Sequence, residues 1–502
     1  MKHYYLFALL LISSLANSQQ ITLVKDINAF PGAVGKEGRH SSPNNLTAFN
    51  GKLYFAADDQ IASNTNGVDV GIELWVSDGT PEGTVLLKDI DGSSDDSSPS
   101  KFFELNNKLY FQVYETSTGN YSLYTTDGTE AGTVLLFNDF QFEPPTIIGN
   151  KAYMRKYITD ADGVFTGIYY EFDGTNLQVL PDTGSGTISA GSNYIALNDN
   201  SILFNMTYTV GGTSDGQELY LYNISNQTYT LVKNFDDANG DSSLTHFTKM
   251  GDNVYFEYDN NLWVTDGTAA GTTQVTIASS INGLASLFAW ENKLYFEGDD
   301  GSFDQLWVYD PTANKVTNLS GTTEANPTGF SFNHDPVHFV APGDGYLYYA
   351  GKSVATFASY NLYRTNGVTI ESIEMDLIDS VDDIVKLNNA LYFEAAYTDS
   401  NPEFTDLGRE LYTYTNDKLL STNTFELNNS ISIYPNPSTS FLNVKTTLDG
   451  EINYSIYNLL GKQVQTGTIN NNVINHNLTS GLYLLKLDNG TQSITKKIIV
   501  KN

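Results

Sequence analysis

One feature recurs eight times and limits what this chain can fold into: a two-residue turn followed by an aromatic-rich apolar strand. The copies read FNGKLYF (49–55), LNNKLYF (105–111), IGNKAYM (148–154), LNDNSILF (197–204), MGDNVYF (250–256), WENKLYF (290–296), PGDGYLYY (342–349) and LNNALYF (387–393). Asn-Gly, Asn-Asn, Gly-Asn and Gly-Asp tolerate the positive φ angles of a tight hairpin turn, whose twist matches that of paired strands. A strand–turn–strand follows each copy. ELWVSDGTPEGTVLLKDI (73–90) is the fullest, SLYTTDGTEAGTVLLFND (122–139) and NLWVTDGTAAGTTQVT (261–276) repeat it closely, and degenerate forms continue to ELYTYTNDKLL (410–420). The Asp can accept bonds from turn amides, and the Gly supplies a left-handed position.

Each unit therefore holds four short strands, and Tyr54 and Tyr392, in the first and last copies, set a mean spacing of about 48 residues. That is the size of one propeller blade. Strands such as LYFAA are apolar on both faces, as packing between two neighbours demands. No helical period separates the units, which argues against an α/β fold. Ile21–Ile27 resembles Thr84–Ile90, a fourth strand, yet precedes the first unit. An early strand joining the last blade would lock a ring. We expect an all-β chain: an eight-bladed β-propeller, with seven blades as the alternative because units three and four are degenerate.

The first residues read as a secretory signal over 1–18. Lys2 and His3 are followed by an apolar run from Tyr4 to Leu15, and Ala16-Asn17-Ser18 offers small residues for cleavage after Ser18. The run is too short to span a bilayer, and no later segment is suited to do so. The chain has no cysteine, so stability rests on the core and on chain closure.

The formal net charge is −32. Residues 430–502 carry net +3 and Lys2 adds +1, leaving −36 on 19–429. Such a surface repels nucleic acid and anionic membranes and favours cations or basic partners; extracellular solubility explains it equally well.

The ELWxxDGT pattern is strong at Glu73-Leu74-Trp75 with Asp78-Gly79-Thr80, and at Leu262-Trp263 with Asp266-Gly267-Thr268. It resembles the repeat family named for that string, found in exported bacterial proteins. The resemblance spans about 22–423 and implies a propeller with no defined activity. We place the propeller at 19–427.

After Leu427 the texture changes to short alternating strands, consistent with a small β-sandwich over 428–502. Tyr434-Pro435-Asn436-Pro437, Leu460-Gly461-Lys462, Gly481-Leu482-Tyr483 and Lys496-Lys497-Ile498-Ile499-Val500 resemble the type A C-terminal sorting domain of the type IX secretion system of Bacteroidetes. The resemblance implies the secretion machinery as a partner of 428–502, and passage through the periplasm to the outer cell surface or the medium.

Chemistry is sparse. The connections after the second and fourth strands (59–72, 155–167, 207–217, 396–409; 91–100, 234–243, 320–336) are long and variable, whereas the other turns are tight. In an up-and-down blade these sets lie on opposite faces, so function is expected on the face of long connectors. Two acidic clusters lie there, around Asp89–Asp96 and Asp236–Asp241. Asp89, Asp91 and Asp95 partly follow a calcium-loop spacing, but position twelve is Ser100 rather than Glu. We read them first as solvated turns and second as a Ca²⁺ site. Pro336 separates His334 from His338 and breaks a helical metal pair. Gly212–Gly216 matches a nucleophile-elbow string without its strand–turn–helix setting. Trp75, Tyr124, Trp263 and Trp307 read as blade core. The expectation is an exported binding or adhesion protein for a glycan, a protein or a cation, and no enzyme; the alternative is a polysaccharide-active enzyme using loop carboxylates.

Overall fold

The computed structural model describes residues 20–28, 40–59, 70–159, 165–181, 186–210, 213–236, 240–276, 281–299, 301–321, 329–353, 359–375, 378–397, 408–416, 431–446, 452–458, 462–469, 472–488 and 493–501. The leader at 1–18 and the boundary at 427/428 lie outside them. The chain divides into two compact units, Met1–Asp417 and Lys418–Asn502.

Among the described residues the first unit holds eight four-stranded antiparallel sheets. Sheet 1 runs in order through Asn44–Phe49, Lys52–Asp58, Ile72–Ser77 and Val85–Lys88. Sheets 2 to 7 follow the same order over 100–138, 146–179, 186–233, 245–274, 282–318 and 337–372. Sheet 8 takes Ile378–Leu387, Ala390–Tyr397 and Arg409–Thr415 from the end of the unit. Its fourth strand is Gln20–Lys25, paired with Arg409–Thr415 in the register Thr22 to Thr413. The early strand therefore joins the last sheet, as its likeness to 84–90 implied.

The second strands form the core because they are apolar on both sides. Leu53, Tyr54, Phe55 and Ala56 are buried, as are Leu109, Tyr110 and Phe111, and Leu391, Tyr392 and Phe393. The turns before them take the left-handed angles their residues permit, with Asn50 at φ 47° and Gly51 at 73°, and Asn106 at 52° and Asn107 at 58°. In sheet 7 the turn lengthens to residues 341–346.

The third-to-fourth-strand turn is the same structure three times. Asp78 Oδ1 accepts Thr80 N–H at 2.9 Å and its hydroxyl at 2.7 Å, while Ser77 and Thr84 hydroxyls meet at 2.7 Å. Asp127 with Thr129, and Asp266 with Thr268, repeat these bonds. The turn glycine is required twice over: it has positive φ, and a side chain from the preceding sheet abuts it, Leu197 at Gly267 and a tyrosine at four others. A Cβ on Gly128 would lie 2.5 Å from the Tyr54 hydroxyl, on Gly174 2.9 Å from Tyr110, on Gly367 2.8 Å from Tyr295, and on Gly79 2.2 Å from Tyr392. The last of these joins sheet 8 to sheet 1 by the contact that joins sheet 1 to sheet 2.

Two expected connectors are mostly strand. Residues 155–167 belong to Lys151–Thr159 and Phe165–Phe172, and 207–217 to Ser201–Val210 and Thr213–Asn223. Their polar residues suggested loops, but pairing such as Tyr157 with Gly167 and Thr207 with Gln217 extends both hairpins. Ser214 is one residue of such a strand, paired with Thr209, so the nucleophile-elbow string has no strand–turn–helix.

The second unit has a three-stranded sheet (Ile431–Tyr434, Phe441–Thr446, Val473–Asn475) and a four-stranded one (Gln463–Thr468, Asn453–Asn458, Gly481–Asp488, Ser493–Val500). Leu442, Val444 and Ile474 from one sheet and Ile456, Leu485 and Ile498 from the other share one core. Asn436 ties the YPNP segment to the basic tail, accepting Ile499 N–H at 2.8 Å and donating to the Lys497 carbonyl at 3.1 Å.

Candidate functional site

In sheets 1, 4 and 8 the connector from the fourth strand to the next sheet is pinned by a buried acid, the Glu that opens the ELW-like string. Glu73 Oε2 accepts Ile90 N–H at 2.8 Å and the Ser97 hydroxyl at 2.6 Å, and its Oε1 accepts Ser97 N–H at 3.2 Å. Glu218 does this for Phe235 N–H at 2.7 Å and the Ser242 hydroxyl at 3.1 Å. Glu410 does it for Ile27 N–H at 3.0 Å and for Ser41 through both N–H and hydroxyl. Sheet 6 substitutes Gln305, whose Oε1 takes the Ser320 hydroxyl and whose amide donates to the Phe332 carbonyl. Glu73 and Glu410 are fully buried, and burial, partly offset by these donors, pushes each up to about 8. Sequence reasoning missed this role. Its signal was a Ser 24 residues beyond Glu73 and again beyond Glu218.

Of the three expected calcium ligands, the structure brings two together. Carboxylate oxygens of Asp89, Asp91 and Glu73 lie within 4.8 Å of one another; Asp95 is not in that group. All three group members already serve protein donors: Asp89 takes Gly92 N–H at 2.7 Å and Asp91 takes Ser93 N–H at 2.7 Å. In the second acidic cluster, Asp241 accepts Gln217 N–H at 3.0 Å; residues 237–239 lie outside the described residues. A further trio, Glu297, Asp304 and Asp335, also falls within 4.8 Å. Lys352 is ion-paired to Asp335, and burial raises Glu297 to about 7. His334 is buried between Tyr349, whose hydroxyl lies 3.0 Å from Nε2, and the Lys352 carbonyl, and burial lowers it to about 4. It is a core histidine. Trp75 and Trp307 are buried as expected.

The first strands carry a repeated irregularity. In six sheets a bulge places a residue at positive φ, at Asn45, Lys101, His246, Ser286, His338 and Asp383, with a second such bulge at Gly283 in sheet 6 and at Ser380 in sheet 8. Bulges re-aim the chain and recur beside sites. Here they sit at the connector end of the strand, where first strands of adjoining sheets bond to one another. Leu46 N–H donates to Asp383 Oδ2 at 2.6 Å and His338 Nε2 meets Asp382 at 2.7 Å, while Lys101 meets Glu143, in the connector leading into sheet 3, at 3.6 Å. The bond to Asp382 raises the His338 pKa. Beside this pair Glu394, raised to about 7 by burial, faces Arg409 at 3.3 Å.

Two depressions open at this level. One, of about 520 Å³, lies between the connector into sheet 3 and the first strands of sheets 4 and 5, lined by Glu143, Pro144, Asn193, Tyr194, His246 and Phe247. The other, of about 320 Å³, lies between sheets 1 and 2, with Asn45, Ser100, Gln112, Tyr114, Tyr121 and Gln141 among its walls. Both volumes fall in the range of small-ligand pockets.

Residues 432–501 match the secretion system C-terminal sorting domain family. The chain is thus an all-β protein of repeated four-stranded sheets with a type IX sorting domain at its C-terminus, and it is secreted to the cell surface or the exterior. No curated protein matches. Among solved structures, a prolyl endopeptidase is similar at 13% identity and a TM-score of 0.43, covering 71% of this chain and 55% of that one. The β-propeller domain of the Trilobed protease from Pyrococcus furiosus is similar at 8% and 0.40, covering 67% and 99%. PorZ, a surface component of the type IX secretion system of Porphyromonas gingivalis, is similar at 9% and 0.27, covering 92% and 86%. The chain spans about half the length of the prolyl endopeptidase it matches.

Proposed function

We propose that this chain is an eight-bladed, ring-closed propeller of the ELWxxDGT type that binds an extracellular glycan or protein through its long-connector face, and that it is not an enzyme. The early strand in sheet 8 and the Tyr392–Gly79 contact support closure. The observation that carries the binding reading is the position of both depressions beside the first-strand bulges, at the connector end of the sheets. The opposite turns are short and spend their polar side chains on their own backbone, as Asp78, Asp127, Asp173, Asp266 and Asp310 do, which leaves them little with which to recognise a ligand. Cation binding at Asp89 and Asp91, with Glu73 beside them in place of Asp95, is a subsidiary part of the proposal and is expected to be weak, because protein donors already occupy these oxygens.

The test is a panel of glycans and polypeptides offered to the mature protein with product analysis. Saturable binding with no new reducing ends supports the reading. The rival, a polysaccharide-active enzyme, has its strongest group in Glu297, Asp304 and Asp335, since a carboxyl raised to about 7 suits a general acid. New reducing ends that disappear with Glu297→Gln would establish that rival instead.

A further inference from the structure

We propose that the depression between sheets 1 and 2 is a subsite for one or two uncharged sugar units, a conclusion that rests on the binding reading above. Tyr114 and Tyr121 are register partners on the second and third strands of sheet 2, with ring centroids 4.7 Å apart and planes inclined by 40°. Both rings are half-buried against the protein and line the opening. Around them stand amides and hydroxyls: Asn45, Ser100, Gln112 and Gln141. Gln112 is only 3% exposed, and its Oε1 accepts Phe142 N–H at 3.1 Å. That bond fixes the amide and leaves its NH₂ as a preset donor toward the depression. A sugar ring has an apolar C–H face and a rim of hydroxyls. It matches aromatic rings beside fixed amides, the pairing of an apolar body with a few placed polar groups that defines small-ligand sites.

Charge decides the class. Among the described residues no carboxylate lines this depression, so they offer a cation no partner. Lys101 is the one charged residue among its described walls, and that ammonium is taken by Glu143 at 3.6 Å and by the Phe142 carbonyl at 2.5 Å. An anionic sugar would find no free counter-charge on a chain of formal net charge −32. The volume of about 320 Å³ sits at the small end for ligand sites and limits the subsite to one or two units. Glu143, the partner of Lys101, also lines the larger depression, so a longer chain leaving the subsite would pass toward sheets 3 to 5.

The experiment is calorimetric or saturation-transfer titration of the full chain. The probes are neutral hexasaccharides of β-1,4-glucose, α-1,4-glucose, galactose and mannose, with polyuronate and hexalysine as charged controls. At least one neutral probe should saturate, and Tyr114→Ala with Tyr121→Ala should weaken it about tenfold or more at an unchanged melting temperature. Should that pair destabilise the sheet, Tyr121→Phe should bind within about threefold of the parent and Gln141→Ala should bind about two- to fivefold less tightly. The proposal is overturned if no neutral probe saturates, if only a charged control binds, or if the tyrosine pair is removed without loss. A probe insensitive to the tyrosines but lost with His246→Asp, in the larger depression, would keep the binding face and discard this subsite. Insensitivity to both would discard the two together.

Discussion

The turns between third and fourth strands and the connectors between sheets are built from the same polar chemistry, yet they behave oppositely. In the turns at 78–84, 127–133 and 266–272, each Asp, Thr and second Gly has the equivalent partner in every copy, at 2.9 or 3.0 Å. In the connectors only the anchor repeats. A buried Glu holds a Ser in sheets 1, 4 and 8, and what lies between the held points differs in length and charge. Invariance marks the parts that close the scaffold, and variation around a fixed anchor marks the parts free to specialise.

The sharpest way to break this contrast is at Glu410, the anchor that ties Ile27 and Ser41 into sheet 8. Glu410→Ala strands two backbone donors and a hydroxyl in a buried setting and should lower stability by about 3–5 kcal/mol in denaturant unfolding. Next comes the turn glycine. Gly79→Ala imposes a Cβ at φ 93° against the Tyr392 hydroxyl and should cost about 2–3 kcal/mol. Adding Tyr392→Phe should recover part of that loss, because the two changes share one contact.

A smaller effect is pH dependence. Burial raises Glu73 and Glu410 to about 8, and Glu297 and Glu394 to about 7, so the native state holds protons that the unfolded chain has released. Their contribution is complete below the unfolded carboxyl range and is lost as pH climbs through the folded values. His338, raised by Asp382, acts in the same direction. His334, lowered to about 4, opposes them only below the ordinary histidine range. Melting temperature should therefore fall as pH rises from 6.5 to 8.5, and Glu410→Gln should flatten that slope. The smallest effect is expected in the free part of a connector. Asp91→Asn should change stability by no more than about 0.5 kcal/mol, and calcium should shift the melting temperature by only about a degree or two. A large shift abolished by EDTA would show that the acidic connector is an anchor in its own right.

The scaffold was legible because its signals are local. Asn-Gly and Asn-Asn turns, LYF strands and DGT turns each specify their own few residues, and the early strand carries the sequence of the strand it imitates. The hairpin extensions at 155–167 and 207–217 were not legible, because Arg155, Thr207 and Gln217 are polar and only pairing across the hairpin makes them strand. The second depression was hidden for a different reason. Asn45 comes from sheet 1, Tyr121 from sheet 2 and Gln141 from the connector after sheet 2, and no spacing along the chain announces that they meet. The polar residue after several of the LYF-like cores, such as Gln112, Glu297 or Glu394, was the available hint of a wet level along the second strands.

The central claim is a ring of eight sheets closed by Gln20–Lys25. Single-particle imaging of the full chain tests it most directly. The account predicts face-on averages with eight blades around an axis and no gap between the last and the first. Seven blades, or a crescent with sheets 8 and 1 apart, would contradict it.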